Sequence, residues 1–157
     1  MIIRPMRPEE HSLLETFIYE AIFVPPGETP PPREIIFEPD VQAYIKDFGT
    51  RPQDCCVVAD IDGQVAGAAW AGVFGAYGYI DDETPELAIA VLPGFRGRGV
   101  GTALLDALFV QLRLRGCRQT SLAVQQANPA ARLYLRAGYE IVAEKAEEYL
   151  MIKQLGD

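Results

Sequence analysis

Apolar residues recur along the chain with two periods, and the switches between them mark its elements. Residues 2–6 alternate as a short strand. Pro8 then opens a helix in which Leu13, Leu14, Phe17, Ile18, Ala21 and Ile22 fall on one face. The proline-dense stretch 25–32 cannot continue a helix and reads as a stiff extended loop. Pro39 permits a second helix, with Val41, Tyr44, Ile45 and Phe48 on a common face and an end near Gly49. Two apolar runs, 55–60 and 64–70, flank Asp62-Gly63 and predict an antiparallel hairpin. Beyond the glycine-rich 72–78 and the acidic Asp81, Asp82 and Glu83, strand 86–91 leads to a helix carrying Leu104, Leu105, Leu108 and Leu112, closed by Gly116. Strand 120–124, a helix over about 128–137 stopped by Gly138, and strands 139–143 and 148–153 complete the chain.

This pattern contains no repeat and no second core, so residues 1–157 are expected to form one domain. Hydrophobic residues at 49% and charged residues at 23% fit a globular protein, and no apolar run approaches the roughly 20 residues of a membrane span. The first residues lack the long apolar core of a secretory signal, and a cytoplasmic location is expected. A formal charge of −8 argues against nonspecific nucleic-acid binding. Of the three cysteines, Cys55 and Cys56 are adjacent in a strand and point to opposite faces, which disfavours a disulfide framework. The only histidine, His11, lies in the first helical pattern beside Glu9 and Glu10, and no metal site is expected. The chain is compatible with a homodimer.

The chemistry concentrates where strand 86–91 runs into Pro93-Gly94-Phe95-Arg96-Gly97-Arg98-Gly99-Val100-Gly101. Glycines there leave the main chain open to a ligand, and the first N–H groups of the following helix meet an anion. Thr102 stands where a dinucleotide fingerprint begun at Gly97 needs glycine, and no Gly-Lys-Ser/Thr follows, so two common phosphate loops are excluded. The net charge does not oppose an anion, because screening acts over about 8 Å while Arg96, Arg98 and a helix end of roughly +0.5 charge are local.

The remaining pattern, Arg96-x-x-Gly99-x-Gly101 after Val91-x-Pro93, resembles the coenzyme A loop of the GNAT N-acetyltransferase superfamily. A second block, from Asn128 through Leu133-Tyr134 to Gly138-Tyr139, is similar to that superfamily's closing motif. The order of elements matches along nearly the whole chain. The resemblance implies an α/β fold: a mixed, mostly antiparallel central sheet with a splayed parallel pair and flanking helices. It also implies acetyl-CoA as co-substrate, with Ile89, Ala90 and Val91 offering main-chain groups to the pantetheine arm. Arg96, Gly97, Arg98, Gly99, Val100, Gly101 and Thr102 would hold the diphosphate. Asn128 would steady the pantetheine or cap its helix.

Acyl transfer to an amine requires a neutral nitrogen, yet a lysine-like amine with a pKa of about 10.4 is almost wholly protonated at neutral pH. The resemblance places Tyr134 as the acid that protonates the leaving thiolate and Glu86, at the start of the splayed strand, as a base acting through water. Ala123 stands where some protein-modifying relatives carry a glutamate, which weakens the analogy with them. The resemblance also implies direct transfer, with acetyl-CoA and a primary amine, either a small molecule or a lysine, bound together. The acceptor side is expected between residues 17 and 48, with 70–79 nearby and Phe23, Tyr44, Phe74, Tyr77 and Tyr79 as candidate lining. A noncatalytic acyl-CoA sensor is the competing class.

Overall fold

A computed structural model describes residues 1–156, with elements β1 (Ile2–Pro5), α1 (Leu13–Ala21), α2 (Pro39–Gln42), β2 (Cys55–Ile61), β3 (Gln64–Gly72), β4 (Glu86–Val91), α3 (Val100–Leu114), β5 (Gln119–Gln125), α4 (Ala130–Arg136), β6 (Glu140–Lys145) and β7 (Glu148–Gln154). The strands form one seven-stranded sheet in the order β1-β2-β3-β4-β5-β7-β6. Every neighbouring pair is antiparallel except β4 and β5. The β2–β3 hairpin turns at Asp62 (φ 53°) and Gly63 (φ 85°), the paired positive φ values of a turn that matches strand twist. No helix among the described residues is long and apolar enough to cross a membrane.

Both faces of the central strands are buried, which is why β2 and β3 read as continuous apolar runs. On one face, Leu104, Leu105, Leu108, Phe109 and Leu112 of α3 pack against Cys55, Val57, Ala69 and Ala71. On the other, Leu14, Phe17 and Ile18 of α1 pack against Cys56, Val58, Ala68 and Trp70. Cys55 and Cys56 thus serve opposite cores as free thiols, and burial pushes the Cys55 thiol up to about 11. Small residues on β3 let the helices approach: a Cβ on Gly67 would lie 3.0 Å from the Ala90 carbonyl oxygen and 3.2 Å from Leu104 Cδ1.

Three expectations shift. Residues 8–10 form a separate 3₁₀ turn, and α1 begins at Leu13. His11 sits in the connection, its ring edge-on to Phe48 at 5.5 Å. The second helix is short: α2 stops at Gln42, and residues 43–49 continue as turns through Asp47 (φ 56°) and Gly49 (φ 97°). The chain here tightens into i→i−3 hydrogen bonds, Tyr44 to Val41, Ile45 to Gln42 and Phe48 to Ile45, and the Asp54 carboxylate accepts the Gly49 and Arg51 N–H groups at 2.9 and 3.1 Å where the turns end. A further 3₁₀ turn, Arg33–Phe37, follows the proline stretch, and α4 spans only Ala130–Arg136.

Candidate active site

Strand β4 pairs with β3 from Gly67↔Val91 to Gly72↔Glu86, but with β5 only at Glu86↔Ser121. Past that bridge the parallel strands part, while β5 stays paired with β7 over its whole length. Main-chain groups on the facing edges are therefore left for something other than the sheet. At the parting point lies the 74–78 loop. The fully buried Glu86 carboxylate accepts the N–H groups of Phe74 (3.2 Å), Ala76 (3.0 Å) and Gly78 (2.9 Å). The Ser121 hydroxyl donates to the Gly78 carbonyl at 2.6 Å, and a Cβ on Gly78 would lie 3.1 Å from the Leu122 and Ala123 main chain. Burial pushes the Glu86 carboxyl above its ordinary range, and the amides of Ala76, Gly78 and Phe74 only partly offset this.

The splay opens into a cleft with two chambers. One, of about 720 Å³, runs between α1, the proline stretch, the end of β4 and α4; Tyr19, Glu20, Pro30, Pro31 and Leu133 belong to its wall. The other, of about 330 Å³, lies deeper toward β7. They share Ala21, Ile22, Phe23, Ile89, Asn128 and Tyr134, so these residues form the junction. Tyr134 stands there with its ring edge-on to Tyr139 at 5.9 Å, and its hydroxyl makes no hydrogen bond among the described residues. Burial pushes its phenol up to about 12, so it holds its proton throughout the physiological range.

At the outer end of the larger chamber, Gly97 (φ 77°) and Gly99 (φ 80°) take left-handed conformations and turn the chain into α3. The N–H groups of residues 97–102 meet no acceptor among the described residues. A row of free amides at the start of a 15-residue helix is an anion cradle.

The model of the acetyltransferase (GNAT) family matches residues 18–139. The chain belongs to the GNAT acetyltransferase family. An acetyltransferase of Pectobacterium atrosepticum is 33% identical over 90 residues, 57% of this chain and 60% of that protein; the chain thus matches somewhat under two thirds of that relative's length. A GNAT acetyltransferase structure from Streptococcus pneumoniae superposes with a TM-score of 0.69 at 20% identity, covering 99% of each chain. An acetyltransferase from Salmonella typhimurium, solved with acetyl-CoA, gives 0.71 at 20% identity, covering 100% of this chain and 95% of the other. At these identities the two structures speak for the GNAT fold alone.

Against this GNAT framework the candidate residues separate into groups. Ile89, Ala90, Val91, Arg96, Gly101, Asn128 and Tyr134 all line the larger chamber. Gly97, Gly99, Val100 and Thr102 carry the free amides at its end, while Arg98 lies outside the lining with its guanidinium 5.5 Å from the Phe95 ring centroid. Arg96 turns back along the wall. Its Nε donates to the Val91 carbonyl at 2.8 Å, and its terminal nitrogen pairs with Glu20 at 3.3 Å. Asn128 Oδ1 accepts the Ala130 N–H at 2.9 Å, which leaves its amide NH₂ to face the cleft. Glu86 lines neither chamber.

Of the acceptor-side aromatics, Phe23, Tyr44 and Tyr77 line the smaller chamber. Phe74 instead is core, 5.6 Å from Tyr44, and Tyr79 is exposed and donates to Asp82 at 2.6 Å. Two wall residues went unnoticed in the sequence. Tyr19 donates to the Pro31 carbonyl at 2.5 Å and clips the proline stretch over α1, where helical periodicity marks it only as off the apolar face. Glu148 reaches the smaller chamber from β7, and only the sheet order brings it there.

Proposed function

We propose that this GNAT protein is an N-acetyltransferase that passes an acetyl group from acetyl-CoA to a primary amine, both bound at once on either side of Tyr134. The observation that carries this is the junction: two chambers meet at the Tyr134 phenol, beside the stretch where β4 and β5 leave their facing edges unpaired. The residues present fit the co-substrate, since the free amides from Gly97 to Thr102 match diphosphate oxygens. Arg96 adds charge at the same end, and the β4 edge at Ile89 and Ala90 runs alongside. Charge-assisted contacts of this kind contribute about 1.5–3 kcal/mol each.

When bound, acetyl-CoA supplies an activated thioester carbonyl. The chain contributes placement and one proton. Asn128 NH₂ and the β4 edge orient the arm, and the Tyr134 hydroxyl gives its proton to the departing sulfur as the carbon–nitrogen bond forms and the carbon–sulfur bond breaks. The proton lost by the amine leaves to solvent through the smaller chamber. Glu86 acts as a positioning residue: its carboxylate is spent on three amides of the 74–78 loop, which presents Tyr77 to the acceptor.

Thiol release from acetyl-CoA with a panel of primary amines tests this. Tyr134→Phe should lower kcat by about 10²-fold while calorimetric acetyl-CoA affinity stays within about twofold. Firm acetyl-CoA binding with no amine-dependent release would instead favour an acyl-CoA sensor.

A further inference from the structure

The smaller chamber is built almost entirely from apolar and aromatic side chains. Glu148 is its one charged lining residue, and no lysine, arginine or histidine lines it. The Glu148 carboxylate is half-buried and takes part in no ion pair or side-chain hydrogen bond among the described residues. Its cross-strand neighbours on β5 and β6 are Gln125 and Lys145, and Lys145 does not come within ion-pair distance. Outside that lining, the hydroxyl of the wall residue Tyr77 donates to a second carboxylate, Asp40, at 3.2 Å. Burial first, then the fields of Glu86 and Glu148, pushes the Tyr44 phenol up. Burial and Asp40, then Glu148, do the same for Tyr77, so both rings stay neutral.

A partly buried carboxylate with no ion pair, set in an otherwise uncharged wall, offers a partner to a cation that enters the chamber. Neutral tyrosine faces beside it favour the same cation. We propose that Glu148 is the residue that selects the acceptor by charge, and that the acceptor is a small cationic amine with an apolar or aromatic body and no carboxylate of its own. This rests on the acetyltransferase reading above and specifies its substrate class. With no basic group in the chamber, the α-carboxylate of a free amino acid would face Glu148 unpaired, a like-charge contact that opposes binding. The volume of about 330 Å³ suits a small molecule.

The test compares 2-phenylethylamine, phenylalanine and a short alanine-initiated peptide as acceptors for the full chain with acetyl-CoA. The wild type should favour 2-phenylethylamine over phenylalanine by at least about tenfold in kcat/KM, a comparison that needs no variant. Glu148→Gln should raise KM for 2-phenylethylamine about tenfold, with acetyl-CoA KM and calorimetric affinity unchanged. Glu148→Arg should shift preference toward phenylalanine. An unchanged amine KM in Glu148→Gln, equal turnover of phenylalanine by the wild type, or faster turnover of the peptide would overturn the assignment while leaving the acetyltransferase reading intact. Absence of release with every acceptor, alongside acetyl-CoA binding, would overturn both.

Discussion

Glu20 is a carboxylate in the wall of a chamber whose far end carries the free amides of residues 97–102, and it holds Arg96 through a 3.3 Å ion pair. Arg96 is half exposed, so the pair contributes at most about 1 kcal/mol. Removing the negative charge frees the guanidinium for the cofactor end and lowers repulsion there. Glu20→Gln should therefore tighten acetyl-CoA up to about fivefold at low salt, with the gain fading at high salt as screening grows. Titration calorimetry at two ionic strengths checks this, and an equal or weaker affinity would remove Glu20 from the account. The residue roles were unevenly visible in the chain. Asn128 and Tyr134 were picked out by the resemblance of residues 128–139 to the family's closing motif, and the fold brings both to the junction of the two chambers. The turned-back pose of Arg96 was not legible, because its partner lies far away in sequence on α1.

At the scale of elements, the decisive feature is the single Glu86↔Ser121 bridge and the loop seated beside it. Glu86→Ala leaves buried amides of Phe74, Ala76 and Gly78 without an acceptor. At about 1–3 kcal/mol for an unmet buried group, with partial relaxation, we expect a loss of about 3 kcal/mol in urea unfolding. The amine KM should rise with it while acetyl-CoA affinity holds, because only the smaller chamber includes Tyr77. A base would add a fall in kcat to the same loss of stability, since the three amides lose their acceptor in either case. The β2–β3 hairpin and α3 were readable because turn chemistry and helical leucines are local signals. Residues 43–49 were misjudged because the spacing of Val41, Tyr44, Ile45 and Phe48 is met by successive i→i−3 turns as well as by an α-helix, and the Asp54 carboxylate takes only the Gly49 end.

For the molecule as a whole, acid stability has one identifiable source. Glu10 accepts Arg4 through paired 2.8 Å hydrogen bonds that tie β1 to the start of the first helical segment, and both side chains are largely buried. The Arg4 hydrogen bonds, with the Arg7 N–H, hold the Glu10 carboxyl at about 2, below the ordinary 4.5, despite burial. A depressed carboxyl contributes stability that is complete above about pH 4.5 and lost as pH falls toward 2, at most about 3 kcal/mol. Arg4→Gln should thus be less stable than the wild type by a margin that narrows across that window. Urea unfolding at several pH values measures it, and a constant margin would refute the linkage. The sequence by itself determined the order of the strands and main helices and, through its two motif blocks, the family, because periodicity, turn residues and motif spacing are local properties. Only the tertiary structure decided that Glu86 faces a loop instead of the cleft, that Arg96 meets Glu20, and that Glu148 lines the smaller chamber. Each of these depends on which strands and helices become neighbours, and that is set by burying both faces of one sheet.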